Sequence, residues 1–179
     1  MGKKATVVVF ATAALLSIFA SQASACSGAN GQPGRLSIAD SQVAITCLIN
    51  KQRARHHLHP VSANILLGSA AAEHSGAMAS ENFFSHEGDD GTPASRAANA
   101  GYMAGARAWG IGENLEWATA GAATPRHVVR SWMKSAEHRS VILTRNFRQV
   151  GIGIADGSPV AGIDQNAETF TAVFGFRKG

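Results

Sequence analysis

The chain has 179 residues, with 16 Lys and Arg against 12 Asp and Glu, so its formal net charge is only +4. So small a positive excess gives no support to nucleic acid as a partner, although the basic balance suits loose attraction to anionic envelope polymers. The sequence has no internal repeat, heptad pattern or low-complexity tract.

The N-terminus has the pattern of a secretory signal peptide. Lys3 and Lys4 precede an almost unbroken apolar run from Val7 to Ala20, and the small residues Ala23-Ser24-Ala25 provide a cleavage site. A membrane anchor is the alternative, but the apolar run is too short to span a bilayer comfortably and is followed by no charged stop. We therefore expect a secreted protein, extracellular or periplasmic, with no membrane span after cleavage.

Cleavage divides the chain into three parts. Residues 1–25 form the signal peptide, residues 26–36 a turn-rich N-terminal arm that we expect to be extended, and residues 37–179 the domain. The mature chain of 154 residues is a usual size for one domain with a single core. We expect it to be a monomer.

Cys26 and Cys47 are the only two cysteines. An even count in an exported chain favours one disulfide between them, closing a loop of about 20 residues. Lipidation of Cys26 as the first mature residue is the alternative. Ala23 is a poor match to the large aliphatic residue usual in a lipoprotein signal, and lipidation would leave Cys47 unpaired.

Helical patterns occupy the first part of the domain. One helix is expected from about Ser37 to His57, before Pro60. A second is expected from an N-cap at Ser62 to about Ser80, because apolar and small residues recur there at spacings of three and four. Thr92-Pro93 and Thr124-Pro125 each place a capping residue before a proline, which is typical of a helix start.

The hydrophobic period changes to two near the C-terminus, which predicts strands at Val150–Ile154 and Phe170–Phe176. The sequence Asp156-Gly157-Ser158-Pro159 predicts a turn between them. The glycines at 151 and 153 would let another backbone lie close against the first strand. Helices first and strands last favour an α+β fold.

Three short motifs carry the chemistry of the chain. Phe83-Phe84-Ser85-His86 supplies His86, the loop segment Gly112-Glu113-Asn114-Leu115 supplies Glu113, and the segment from Trp132 to Arg139 supplies His138. Two imidazoles and a carboxylate are suited to a divalent-metal site or an acid–base cleft. We expect the three side chains to converge in one cleft that solvent can reach.

In this order the motifs resemble those of the CAP superfamily, which includes cysteine-rich secretory proteins, venom antigens and plant pathogenesis-related proteins. The likeness is strongest to its short bacterial secreted (SCP-like) members and runs from about Thr46 to Phe176. The resemblance implies an α-β-α sandwich, with a small, mostly antiparallel sheet between helical layers and a cleft over one sheet face.

The resemblance also implies a site. In eukaryotic members the cleft holds two histidines and two glutamates, and some bind zinc there. His86, Glu113 and His138 match three of these positions, and Ser135 stands at the fourth. The resemblance therefore implies, at most, a weakly bound divalent ion such as zinc on those three residues.

Three further residues are expected in or behind this cleft. Ser135 could donate or accept a hydrogen bond there, and Asn114 adjoins Glu113 in the second motif. His74 lies on the apolar stripe of the second helix, where a buried histidine supporting the cleft is favoured over a metal ligand.

The favoured function is a non-catalytic extracellular binding module whose cleft takes a metal ion, a lipid or a peptide-like ligand. The alternative is a metal-dependent hydrolase, most plausibly a peptidase, with Glu113, His86 and His138 as its catalytic groups. The helical zinc-protease motif His-Glu-x-x-His occurs nowhere in the chain. A passive envelope protein, in which the polar cluster only stiffens the cleft, is the third possibility.

Overall fold

The computed structural model describes residues 26–163 and 166–179, so the predicted signal peptide at residues 1–25 lies outside the described part. The helices and strands follow one another in this order: α1 (Ile38–Arg55), β1 (Ser62–Ala63), α2 (Ile65–Glu81), α3 (Pro93–Asn99), β2 (Ala108–Thr119), α4 (Pro125–Lys134), α5 (Ala136–Ile142), β3 (Gln149–Asp156) and β4 (Ala167–Lys178). Within these ranges, none of the helices combines the length and the apolar character that crossing a bilayer requires.

The strands form one four-stranded sheet in the order β1-β3-β4-β2. β4 pairs antiparallel with both β2 and β3, and only the two-residue β1 is parallel to its neighbour. Helices α2 and α3 pack on one face, and α1, α4 and α5 pack on the other. The predicted α-β-α sandwich with a mostly antiparallel sheet is therefore confirmed.

The backbone of α2 lies directly on β3. A Cβ atom added to Gly151 would collide with the backbone of Leu67 and Gly68, and one added to Gly153 would collide with that of Ala71. Only glycine allows this approach, as the sequence predicted. The close contact fixes α2, and with it His74, against the sheet.

Two local predictions were wrong. The segment from Trp109 to Leu115, expected to be a loop, lies in the long strand β2, because the full ladder to β4 outweighs the low strand propensity of its glycines. Helix α2 is capped by Asn64, whose side chain accepts hydrogen bonds from the amides of Leu66 and Leu67. Ser62, the expected cap, lies instead in β1.

The N-terminal arm is not extended. Its backbone forms successive turns, and Ala29 is buried in the main core. Arg126 binds it twice, through its amide to the Ala29 carbonyl and through its guanidinium to Asn30. The predicted disulfide between Cys26 and Cys47 is confirmed and ties the arm to α1.

Candidate functional site

Glu113 is the centre of the candidate site. It lies on the outer strand β2 opposite Val173 of β4, so its side chain faces the α2–α3 layer. That side chain is only 1% exposed. One carboxylate oxygen lies 2.9 Å from His86 Nδ1, and the other accepts a hydrogen bond of 2.8 Å from Arg96. Both oxygens of Glu113 are therefore engaged within the protein.

Arg96 supplies the buried positive charge of the site. Its side chain is 1% exposed, and its guanidinium donates to Glu113 and, at 3.2 Å, to Asp90. It also donates to the backbone carbonyls of Gly91, at 2.6 Å, and His86, at 3.1 Å. Because a buried carboxylate without a partner is costly, this one cation compensates two carboxylates and fixes the loop that carries His86.

His74 and Asp90 extend this network behind Glu113. His74 is fully buried on α2, and its Nδ1 lies 2.7 Å from an oxygen of Asp90. Its Nε2 lies 2.8 Å from the Ser85 carbonyl and 4.0 Å from Glu113. The carboxylates of Asp90 and Glu113 therefore share one guanidinium, that of Arg96.

His138 approaches from the opposite layer. It lies in the first turn of α5, and Ser135 caps that helix by accepting a hydrogen bond from the His138 amide. The Asn114 amide group donates to the His138 carbonyl at 3.0 Å, which ties α5 to β2. Ser135 and Asn114 therefore act on the backbone of His138.

Burial is the main cause that lowers the pKa of His138 below its usual value. The neighbouring charge of His86 lowers this pKa further, while Glu116 and Glu137 act in the opposite direction. His138 is thus close enough to His86 for their charges to interact. The His86 side chain is 51% exposed, so solvent reaches this imidazole.

The residues as arranged do not fit a three-ligand metal ion. Within residues 26–163 and 166–179, no group of three or more His, Cys, Asp and Glu side chains has the geometry to hold one. An ion bound to Glu113 would have to share an oxygen that already contacts His86 or Arg96. The nearby guanidinium of Arg96 would also repel a divalent cation.

Sequence reasoning brought His86 and Glu113 together and placed His74 behind them, but it missed Asp90 and Arg96. One sequence feature could have indicated them: Arg96 is a single arginine in a short helix of mostly small residues, and it follows the aspartates at 89 and 90 by a few positions. Helix α3 begins with the capping box of Thr92 and Ser95, and this start aims Arg96 at the sheet.

Comparisons with known proteins agree with this architecture. The sequence model of the cysteine-rich secretory protein family (CAP) matches residues 47–174 of this chain. The uncharacterized protein YkwD of Bacillus subtilis strain 168 is 30% identical over 114 residues, covering 63% of this chain and 42% of that protein.

Two solved structures share the fold. An extracellular protein of Bacillus anthracis that contains an SCP domain has a TM-score of 0.60 and 25% identity over 81% of this chain and 45% of that one. An outer surface protein of Borrelia burgdorferi has a TM-score of 0.60 and 18% identity over 75% and 90% of the two chains. This chain spans less than half the length of the two Bacillus relatives.

Proposed function

The chain belongs to the cysteine-rich secretory protein (CAP) family, and we propose that it is an exported, non-catalytic binding module. Its ligand site is the cleft at the outer edge of the sheet, where His86 and His138 lie on either side of Glu113. In this proposal His86 and His138 contact the ligand, the Glu113 carboxylate positions His86, and none of the three carries out a reaction.

The observation that carries this proposal is the double engagement of the Glu113 carboxylate. Each oxygen of Glu113 that would take a proton or an ion already has a protein partner, so its remaining lone pair would have to act beside an imidazole or a guanidinium. In Glu113 one oxygen pairs with His86 and the other with Arg96, and the side chain is almost wholly buried. Such a carboxylate positions its neighbours, and its own charge is already compensated.

The same network favours a peptide over the other two ligand classes. A lipid chain would bury the exposed imidazole of His86 without a polar partner, which is unfavourable. A metal ion would compete with the guanidinium of Arg96. A peptide offers both hydrogen-bond donors and acceptors to the imidazoles, and its apolar side chains can contact Trp109, which is 46% exposed.

NMR spectroscopy of the imidazole groups tests the proposal on the mature protein. Three probes are added separately: a pool of end-blocked octapeptides, phosphatidylglycerol vesicles and zinc chloride. We expect only the peptide pool to shift both His86 and His138, while the exposed His127 at the start of α4 serves as the control.

Each contrary outcome has a separate meaning. A stoichiometric shift with zinc would indicate a metal site, and a shift with vesicles alone would indicate a lipid site. If none of the three probes moves His86 or His138, the cleft is not the binding site.

A further inference from the structure

The cleft contains an open sheet edge. Among the described residues, β2 is the outermost strand on its side of the sheet, and β4 is its only neighbour there. The hydrogen bond from the Ala120 amide to the Asn166 carbonyl continues this ladder. Because strand residues alternate, the backbone groups of the even-numbered residues of β2 face β4, and those of the odd-numbered residues face outward.

The alternation has independent support at Leu115. Its carbonyl points away from β4 and accepts a hydrogen bond from the indole of Trp132 on α4. The outward residues before it are Trp109, Ile111 and Glu113. Helix α4 therefore closes the edge at Leu115, and the part of β2 that precedes it is left uncovered by this contact.

The backbone groups of Ile111 and Glu113 are unpaired within the part of the chain that the structure describes. No hydrogen bond joins their N–H or C=O groups to any described residue. Glu113 as a residue is 7% exposed, whereas its side chain is 1% exposed, so its exposed surface belongs to the backbone. Backbone groups in this position require water or a ligand as a partner.

We propose that the ligand is a peptide in extended conformation, which adds as a fifth strand beside β2 and hydrogen-bonds to the backbone of Ile111 and Glu113. This inference rests on the proposed function, because it identifies how the ligand of that cleft is held. Addition of a peptide strand to an open sheet edge is a recurrent mode of recognition.

The composition of the edge suits this mode. Exposed edges are usually protected by lysine, proline or an inward charge. The segment from Trp109 to Gly112 contains none of these, and the next residue, Glu113, is compensated by Arg96. These protective residues are therefore not present at positions 109–112 to oppose an incoming strand.

The opposite edge of the sheet differs. There β1 pairs with the start of β3, and the Gln42 side chain donates to the Ile152 carbonyl just beyond the end of β1. That edge is therefore partly occupied by the protein itself. The two edges therefore differ: within the described residues, the outward backbone groups of Ile111 and Glu113 carry no such contact.

The two histidines would then read the side chains of the peptide. Successive side chains of a strand point to opposite faces of a sheet. His86 contacts Glu113 from the α2–α3 side, and His138 belongs to α5 on the other side. Neighbouring peptide side chains would meet different histidines, so the backbone would supply affinity and the histidines would supply selectivity.

Residue-resolved amide hydrogen exchange, with and without the blocked octapeptide pool, tests the inference. We expect the exchange of the outward amides of Ile111 and Glu113 to slow by at least tenfold when the pool is present. The inward amides of Gly112 and Asn114 are the internal controls, because the ladder to β4 protects them already. Unchanged exchange at Ile111 and Glu113 overturns the inference.

The result separates this inference from the proposed function. If the pool shifts His86 and His138 but leaves both amides unprotected, the cleft binds peptides without strand addition. If the pool shifts neither histidine, the proposed function itself fails.

A variant supplies a second test. Ile111→Pro removes the outward N–H at an edge position where proline is tolerated, and Ile111→Val keeps it. We expect the proline variant to bind the pool about tenfold more weakly, because it loses one hydrogen bond to the peptide. The valine variant should bind like the wild type. If the proline variant does not fold, octapeptides N-methylated at successive amides replace it, and equal binding by all of them contradicts the inference.

Discussion

Removal of the buried guanidinium of Arg96 should destabilise the protein strongly. In Arg96→Met an apolar side chain of similar length replaces a group that bonds to Asp90 and Glu113 and to two backbone carbonyls. Breaking a buried ion pair by removing one partner costs about 3–5 kcal/mol. Since a domain is usually stable by only about 5–15 kcal/mol, this is a large fraction of the total.

Arg53 provides a matched control. It is also fully buried, but its guanidinium donates only to the backbone carbonyls of His59, Ile142, Thr144 and Phe147. Arg53→Met should also be destabilising, but it leaves no unpaired carboxylate. Only the Arg96 variant should therefore regain stability when Glu113→Gln removes the uncompensated charge.

Urea unfolding of the single variants and of Arg96→Met/Glu113→Gln measures this effect. The second substitution removes the uncompensated charge, so we expect a coupling free energy of about 2 kcal/mol in the double-mutant cycle. A loss below about 1 kcal/mol in Arg96→Met, or no coupling between Arg96→Met and Glu113→Gln, would refute the account of Glu113 as a carboxylate neutralised by Arg96.

Four further predictions concern other parts of the fold. Burial and, to a smaller extent, repulsion from Asp156 raise the pKa of Glu168 to about 7, so the stability of the protein should fall as pH rises from 4.5 to 7. Thermal melts should show that Glu168→Gln raises Tm by about 5–10 °C at pH 8 and changes it little at pH 4. The lowered pKa of His138 means that the folded state resists protonation of this imidazole, so the protein should lose stability as pH falls through about 6.5. Calorimetry of His138→Gln should show a smaller fall of Tm over this acidic range. Replacing both Cys26 and Cys47 by Ala should cost about 3 kcal/mol in urea unfolding, and a much smaller loss would show that the arm is held by its other contacts. A chelator at neutral pH should leave Tm unchanged, because the buried core and the disulfide hold the domain, and a collapse would reveal a structural metal.

Hydrophobic periodicity and capping residues predicted most of the fold. The starts of α3 and α4 follow from Thr-Pro pairs, and β3 and β4 follow from alternation. Strand β2 could not be predicted in the same way. Its glycines at 110 and 112 are weak strand formers on their own, and they are required by close contacts with the aromatic rings of Phe176 and Phe147 from other elements.

The contact between His86 and Glu113 was predicted from their motifs, but the charges around them were not. His86 and Glu113 belong to recognisable segments, so their meeting could be expected. The role of Arg96 depends on how α3 docks against β2, which no local pattern reveals. Its charge was therefore missed, although that charge explains how Glu113 can be buried beside a histidine.

The central claim is that the cleft binds its ligand and does not transform it. Mass spectrometry of the blocked octapeptide pool, after prolonged incubation with the mature protein in the presence and absence of zinc, tests this claim most directly. We expect every peptide that shifts His86 and His138 to be recovered intact. Cleavage products that the wild type forms and the Glu113→Gln variant does not would contradict the account and establish a hydrolase.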